Sequence, residues 1–191
     1  MSPTRLLVLG AVRIFQPAHG YLVRRELMTW RVDQWAAMHP GSIYNMLRTL
    51  TRDGMLEEVE RDDGKPHRTS YRLTADGETE FLTLVREALW RLAPDDPRVL
   101  MAGVAFMWAL SREEVIAAFE GRIAQLEALH SSLGYASEST RVDPTKPSHV
   151  VEILRLADAR SQGELSWVRG LLERLRAGEH RFEVAGGVKL D

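Results

Sequence analysis

The pattern of apolar and polar residues predicts a chain that is mainly helical and has one β-hairpin in its N-terminal half. Apolar residues recur every three or four positions through most of the sequence, the spacing that places them on one face of a helix. In the N-terminal part this spacing predicts helices over 4–15, 20–30 and 40–52. Residues 55–60 and 68–73 are predicted to form two strands joined by a turn, and the second of them shows alternating apolar and polar residues.

The third predicted helix has two faces of very different chemistry. Ile43, Leu47 and Leu50 recur at helical spacing and are expected to face a core. The segment 42–52 contains two arginines and no acidic residue. Its polar side chains are hydroxyls, an amide and guanidinium groups, which hold phosphates and read base edges in a major groove. The candidate DNA-binding residues on this helix are Ser42, Tyr44, Asn45, Arg48, Thr49 and Arg52.

The hairpin that follows this helix completes the pattern of a winged helix. Gly54 is expected to end the helix, because glycine readily adopts the left-handed conformation of a helix end. Asp62 and Asp63 in the predicted turn count against close approach of the whole loop to DNA. The cationic residues of the turn would suit the minor groove or its phosphates, and they are Lys65, His67 and Arg68.

The second half of the chain reads as helix throughout. Ser111 and Glu114 form a capping box for a helix that is expected to end near Gly134. A polar loop is expected over 136–147, followed by a long helix over 148–176. Residues of that long helix step by three and four positions, the spacing of a seam between helices. They are Leu154, Ala157, Ser161, Leu165, Val168, Leu172 and Leu175.

Prolines and acidic residues over 94–97 mark the clearest linker in the chain, because proline cannot continue a helix. We therefore predict a winged helix domain with its connecting helix over 1–93, an all-helical domain over 94–178 and a flexible tail over 179–191. The fold class predicted is mainly α: a winged helix-turn-helix of three helices and a two-stranded β-wing, followed by a helical domain.

Charge and composition add modest information. Residues 1–73 carry a formal charge of +3 and residues 74–191 a charge of −5, which together give the net charge of −2. A basic N-terminal part is a weak indication of a polyanionic partner. The chain has no cysteine, which excludes disulfides and thiolate metal sites.

Other classes of function have little support in the sequence. The six histidines show no pair at the spacing of metal ligands, and no phosphate-binding loop or nucleophile motif is present. We predict no metal, no cofactor and no enzymatic activity. The uncharged stretch 99–110 is far shorter than the roughly 20 residues that span a bilayer, so we expect a cytoplasmic protein without a membrane partner.

Three sequence blocks in this order resemble the PadR family of bacterial transcription regulators. The first is Pro-Ala-His-Gly-Tyr at 17–21, at the start of the second helix. The second is Gly-Ser-Ile-Tyr at 41–44, with the two leucines of the third helix and Asp-Gly-Met-Leu at 53–56. The third is Tyr-Arg-Leu-Thr-Ala-Asp-Gly at 71–77, where the wing passes into a helix.

The resemblance implies a fold and a function. Larger PadR-like members use a helical C-terminal domain to form a homodimer. The implied function is a repressor that binds an inverted-repeat operator in double-stranded DNA and responds to a small aromatic effector. Trp90 or Trp108 would line the effector pocket; the alternative is a tryptophan packed in a dimer core.

Several alternatives stay open at this stage. Tyr44 would contact a phosphate, as the resemblance implies, or would pack against the second helix. His19 and Tyr21 match the family, but we assign them structural roles, as a helix start and a packed aromatic. The competing function is a winged helix that binds a protein partner and no DNA.

Overall fold

The structure is a computed structural model, and it describes residues 2–59, 69–94 and 96–182. Eight α-helices account for most of these residues, which confirms the predicted mainly helical fold with an N-terminal winged helix. The helices are α1 (Pro3–Phe15), α2 (Gly20–Thr29), α3 (Val32–Trp35), α4 (Pro40–Arg52), α5 (Ala75–Trp90), α6 (Pro97–Ala105), α7 (Arg112–Val142) and α8 (Val151–Arg176). The strands are β1 (Ala18–His19), β2 (Leu56–Val59) and β3 (Ser70–Leu73), and short 3-10 turns cover Met107–Ala109 and Ser148–Val150.

The sheet has three strands where the sequence predicted a two-stranded wing. Its order is β1-β3-β2 and both pairings are antiparallel, with Ala18 opposite Tyr71 and Leu56 opposite Leu73. Pro17 ends α1 and leaves the next two residues extended, so that they pair with β3. The side chain of Gln16 also accepts a hydrogen bond from the Leu73 amide at 3.0 Å.

The chain forms two compact units. The first contains Met1–Ala88 and Pro97–Met107, and the second contains Leu89–Asp96 and Trp108–Asp191. The predicted division into domains at 93/94 and 178/179 stays a prediction. Among the described residues no helix combines the length and hydropathy needed to cross a membrane.

The core of the first unit holds α4 in place. The side chains of Ile43, Leu47 and Leu50 are at most 1% exposed. They bury the inner face of α4, which packs against α1 and α2. Asp53 and Gly54, the latter at φ +77°, then lead out of the helix as predicted.

The second unit is built on α7 and α8, which pair as an antiparallel hairpin. Glu120 of α7 pairs with Arg176 of α8, and His130 of α7 pairs with Asp158 of α8. Contacts further along α7 are therefore made by earlier residues of α8, so the two helices are antiparallel. The capping box at Ser111 is confirmed, because its hydroxyl accepts from the Glu114 amide at 3.1 Å.

The predicted end of this helix near Gly134 is wrong, and the loop predicted over 136–147 begins only at 143. Helix α7 continues to Val142. One glycine inside a helix costs only about 1 kcal/mol, and the residues after it include good helix formers. Arg141 and Glu138 also form an ion pair one turn apart. The helix ends at Asp143, because Pro144 makes helical geometry unfavourable for the residue before it.

Candidate nucleic-acid interface

Helix α4 presents its polar side chains on one exposed face. Thr49 is half-buried and the other five candidate residues of this helix are exposed, namely Ser42, Tyr44, Asn45, Arg48 and Arg52. The apolar and the polar residues of α4 therefore lie on opposite faces of the helix, as predicted. We call this set of six residues the α4 face.

The two arginines of the α4 face differ in their surroundings. Arg48 donates from Nη2 to Oδ1 of Asn45 at 2.6 Å, a contact with a neutral amide on the preceding turn. Arg52 instead lies 3.0 Å from Asp53 Oδ1. Hydrogen bonds from Arg5 and then Arg52 hold the pKa of Asp53 below its usual value. The charge of Arg52 is thus partly balanced, whereas Arg48 contributes a more complete positive charge.

Arg5 fixes the end of α4 that carries these arginines. Its guanidinium donates to both carboxylate oxygens of Glu80, at 2.6 and 2.8 Å, and to Asp53 at 3.0 Å. The hydrogen bond to Glu80 is the main reason that the pKa of Arg5 lies above its ordinary value. Sequence reasoning missed this residue, because its partners lie 48 and 75 positions away and leave no local signal.

Tyr44 belongs to the α4 face and also to a groove beside it. Its side chain packs on Gly20 at the start of α2, where an added Cβ would lie 3.1 Å from Tyr44 Cε1. The residue is nevertheless 40% exposed. The two alternatives for Tyr44 are therefore compatible: it packs on α2 and keeps part of its ring accessible.

The groove has a volume of about 500 Å³ and lies between α2, α4 and β3. Its lining is rich in tyrosine and consists of His19, Gly20, Tyr21, Leu22, Tyr44, Thr69 and Tyr71. We call it the tyrosine groove. The Oγ atom of the fully buried Ser70 lies 2.9 Å from Nδ1 of His19, which holds the imidazole at the edge of the sheet.

The expectation that Tyr21 is a packed aromatic is wrong, because its side chain is 59% exposed. The signal was present in the sequence. A helix turns by about 100° per residue, so Tyr21 points away from the buried face that Val23 and Leu27 define.

The remaining predicted site residues lie either outside the described residues or in the second unit. Lys65, His67 and Arg68 lie outside the described residues. Trp90 is 54% exposed and its ring lies against Gly121 of α7, while Trp108 is half-buried in the 3-10 turn after α6. Within the part of the chain that the structure describes, no cluster of three metal-ligating side chains is found.

Helices α1, α2 and α4 with the β2–β3 hairpin define a winged helix domain of the kind found in transcription regulators. Residues 8–82 match the Transcriptional regulator PadR-like family. This part of the chain is therefore a PadR-like transcriptional regulator domain, which confirms the resemblance seen in the sequence. No curated protein matches the chain.

Solved structures of PadR proteins are similar to this chain. Bacillus subtilis PadR in complex with operator DNA is 22% identical, with 90% of this chain and 98% of that chain covered and a TM-score of 0.38. A PadR-like transcriptional regulator from Bacillus cereus is 21% identical, covering 92% and 99%, with a TM-score of 0.37. Bacillus subtilis PadR in complex with p-coumaric acid is 21% identical, covering 91% and 99%, with a TM-score of 0.36.

Proposed function

We propose that this protein is a homodimeric repressor that binds an inverted-repeat operator through α4 and the β2–β3 hairpin and that responds to an aromatic effector. The observation that carries the proposal is the α4 face. Exposed hydroxyl, amide and guanidinium groups lie opposite a fully buried apolar face, and no acidic residue interrupts them between 42 and 52. An exposed helix of this composition suits a major groove, which admits one α-helix.

Arg48 and Asn45 are the best placed side chains for reading bases. A guanidinium can contact guanine O6 and N7 with two hydrogen bonds, and an amide can do the same with adenine N6 and N7. Arg48 donates to Asn45 at 2.6 Å, which keeps these two side chains side by side. Ser42 and Tyr44 would contact phosphates and so set the position of the helix.

The helical hairpin supports the proposed dimer. Several large apolar side chains lie exposed towards the end of the α7–α8 pair where α7 ends and α8 begins: Tyr135 is 81% exposed, Ile153 68% and Leu156 60%. Apolar surface of this kind is typical of an interface between proteins. A two-fold dimer requires an inverted repeat with half-sites about one helical turn, or ~10 base pairs, apart.

The first test is fluorescence anisotropy with the inverted repeats of the DNA upstream of the gene. We expect saturable binding that weakens steeply between about 50 and 200 mM salt, since each phosphate contact releases counterions. Arg48→Ala is expected to weaken binding by about 1–3 kcal/mol for each half-site, the value of one bidentate base contact. Arg176→Ala is the matched control, because Arg176 is also an exposed helical arginine with one partner, Glu120, and lies at the other end of α8 from the exposed apolar side chains.

Binding that is equally strong for Arg48→Ala and the wild type would contradict the assignment of α4. If a folded dimer binds no DNA at low salt, the competing function applies, a winged helix that recognises a protein partner. Sedimentation of the same sample determines whether the protein is a dimer.

The proposed effector response is tested by tryptophan emission. Because p-coumaric acid is present in one of the similar structures, it is the first probe. Variants that keep only Trp90 or only Trp108 are expected to change in emission as this compound is added. The absence of a change in both variants would remove these two residues from the proposal.

A further inference from the structure

We propose that Asp53 is a specificity-determining residue of the DNA interface, because it holds the guanidinium of Arg52 in an orientation that reads a guanine. This inference rests on the proposed function, since it concerns the same helix and the same DNA. It deepens that function by assigning a positioning residue that acts through Arg52 and does not itself touch a base. Asp53 directly follows the last residue of α4 and does not belong to the α4 face.

The contact between Asp53 and Arg52 uses one edge of the guanidinium. Nε and Nη2 of Arg52 both donate to Oδ1 of Asp53, at 3.2 and 3.0 Å. A guanidinium has five N–H donors in a rigid plane, so Nη1 and the outer N–H of Nη2 are left out of this contact. These donors form the far end of the side chain, and they match O6 and N7 of guanine. The side chain of Arg52 is 75% exposed, so that end is accessible.

A second arginine fixes the carboxylate of Asp53. Its other oxygen, Oδ2, accepts from Arg5 Nη1 at 3.0 Å. Arg5 also donates to both carboxylate oxygens of Glu80, and these two side chains are only 22% and 26% exposed. A charged network that is partly buried is stronger than a pair in water. Arg52 therefore bonds to a carboxylate whose own position is fixed from the other side.

An acidic residue at position 53 is unfavourable on local grounds. Asp53 is the C-cap of α4, where the negative end of the helix dipole disfavours an acid. The carboxylate also lies beside a surface that would face the phosphates of DNA. Hydrogen bonds from Arg5 and then Arg52 keep the pKa of Asp53 below its usual value, so the side chain stays charged. These two contacts offset the local disadvantages, and one of them is made to the α4 face.

The expected effect is on specificity, because the two arginines and the two acids of this network sum to zero charge. An arginine that is already immobilised loses less rotamer freedom on binding, which corresponds to about two- to tenfold in affinity. This advantage is obtained where a guanine meets the far end of the guanidinium. Any other base leaves at least one of those donors without an acceptor on the base edge.

The test compares Asp53→Asn with the wild type on the operator and on an unrelated duplex. The change preserves the shape of the side chain, but an amide has one oxygen and cannot accept from both arginines as a carboxylate does. Loss of the negative charge strengthens both complexes alike, so the ratio of the two affinities isolates the orientation of Arg52. We expect this ratio to fall by about two- to tenfold for each half-site. Thermal unfolding verifies that the variant is folded.

Glu58→Gln is the matched control, because it also removes one negative charge from the winged helix domain, at an exposed residue of β2. It is expected to raise both affinities and to leave their ratio unchanged. An equal fall of the ratio in Asp53→Asn and Glu58→Gln would assign the effect to charge alone and overturn the inference. A ratio that does not fall in Asp53→Asn would overturn it as well.

Replacing the base pairs of a half-site one at a time gives a readout that a loss of stability would not produce. Arg52→Ala and Asp53→Asn should both relax discrimination at one and the same G·C pair, because both remove the same contact. In the Arg52→Ala background, Asp53→Asn should relax discrimination no further. A further loss in that background would show that Asp53 acts through another group, and the proposed role would be wrong.

The outcomes separate this inference from the proposed function. If Arg48→Ala weakens operator binding while Asp53→Asn and Arg52→Ala keep the full ratio of affinities, the positioning role is wrong and the α4 assignment stands. If the ratio rises in Asp53→Asn, the carboxylate withholds Arg52 from DNA, which also contradicts the inference. If the wild type binds neither duplex at low salt, both proposals fail.

Discussion

Replacing Arg122 with methionine is expected to lower the free energy of unfolding by about 3–5 kcal/mol, the cost of breaking a buried ion pair from one side. Arg122 is 1% exposed, and its Nε donates to Glu164 at 2.6 Å. Its Nη1 donates to the carbonyl oxygens of Leu89 and Arg91, at 3.2 and 2.9 Å. Methionine fills much of the same volume but leaves all three acceptors without this donor.

Those carbonyl oxygens lie at the C-terminal end of α5. The carbonyl between them, that of Trp90, accepts from Gln125 Nε2 at 3.1 Å, so side chains of α7 satisfy three successive carbonyls at the C-terminal end of α5. The end of a helix leaves its last carbonyls without partners inside the helix. Arg122 therefore both balances Glu164 and fixes the end of α5 to α7.

Urea unfolding followed by circular dichroism, at a fixed protein concentration, measures the effect. The control is Arg169→Met, because Arg169 pairs with Glu127 across the same two helices but both side chains are more than half exposed. We expect a change of at most about 1 kcal/mol for that exposed pair. The double variant Arg122→Met with Glu164→Met should lose less free energy of unfolding than the sum of the two single variants. A loss equal to that sum would contradict the ion pair.

The sequence was informative wherever the signal was local. The α4 face could be predicted because periodicity alone assigns Ile43, Leu47 and Leu50 to the core and leaves the polar residues outside. The capping box at Ser111 needs only residues within one turn. The family blocks added the order of the elements, and the match over 8–82 confirms that part.

Features that depend on distant partners could not be predicted in this way. Strand β1 has only two residues and exists because it pairs with β3, more than 50 positions further along the chain. Arg5 and Arg122 look like ordinary charged residues until the fold brings Glu80 and Glu164 to them. Helix α7 is longer than predicted because the helix formers after Gly134 outweigh the cost of one glycine.

Gly77→Ala is expected to lower the free energy of unfolding by about 3 kcal/mol, at the upper end of the usual cost of overpacking. A Cβ atom on Gly77 would lie 2.0 Å from the carbonyl oxygen of Met55, and that oxygen belongs to the backbone. A shift of the backbone is therefore required to remove the clash. The segment cannot shift freely, because the Thr74 amide donates to the same carbonyl at 3.1 Å and the Thr74 hydroxyl donates to Gly54 at 2.7 Å.

This contact explains why glycine stands at 77 in the third sequence block of the family resemblance. The first turn of α5 closes on the short segment that joins α4 to β2, and the Gly77 amide donates to the Thr74 hydroxyl at 3.0 Å to complete that turn. A displacement there moves the start of β2 relative to α4. We therefore expect Gly77→Ala to weaken DNA binding as well, even where the protein remains folded.

Gly134→Ala is the matched control, because Gly134 lies inside α7 and a Cβ there meets no atom of the described residues within 4 Å. Alanine at a free helical position is more favourable than glycine by about 1 kcal/mol, so this variant should be stabilised. If Gly77→Ala lowers the unfolding temperature and Gly134→Ala raises it, then contact with Met55, and not helix propensity, determines the residue at 77. A stabilised Gly77→Ala would contradict the close approach between α5 and the segment before β2.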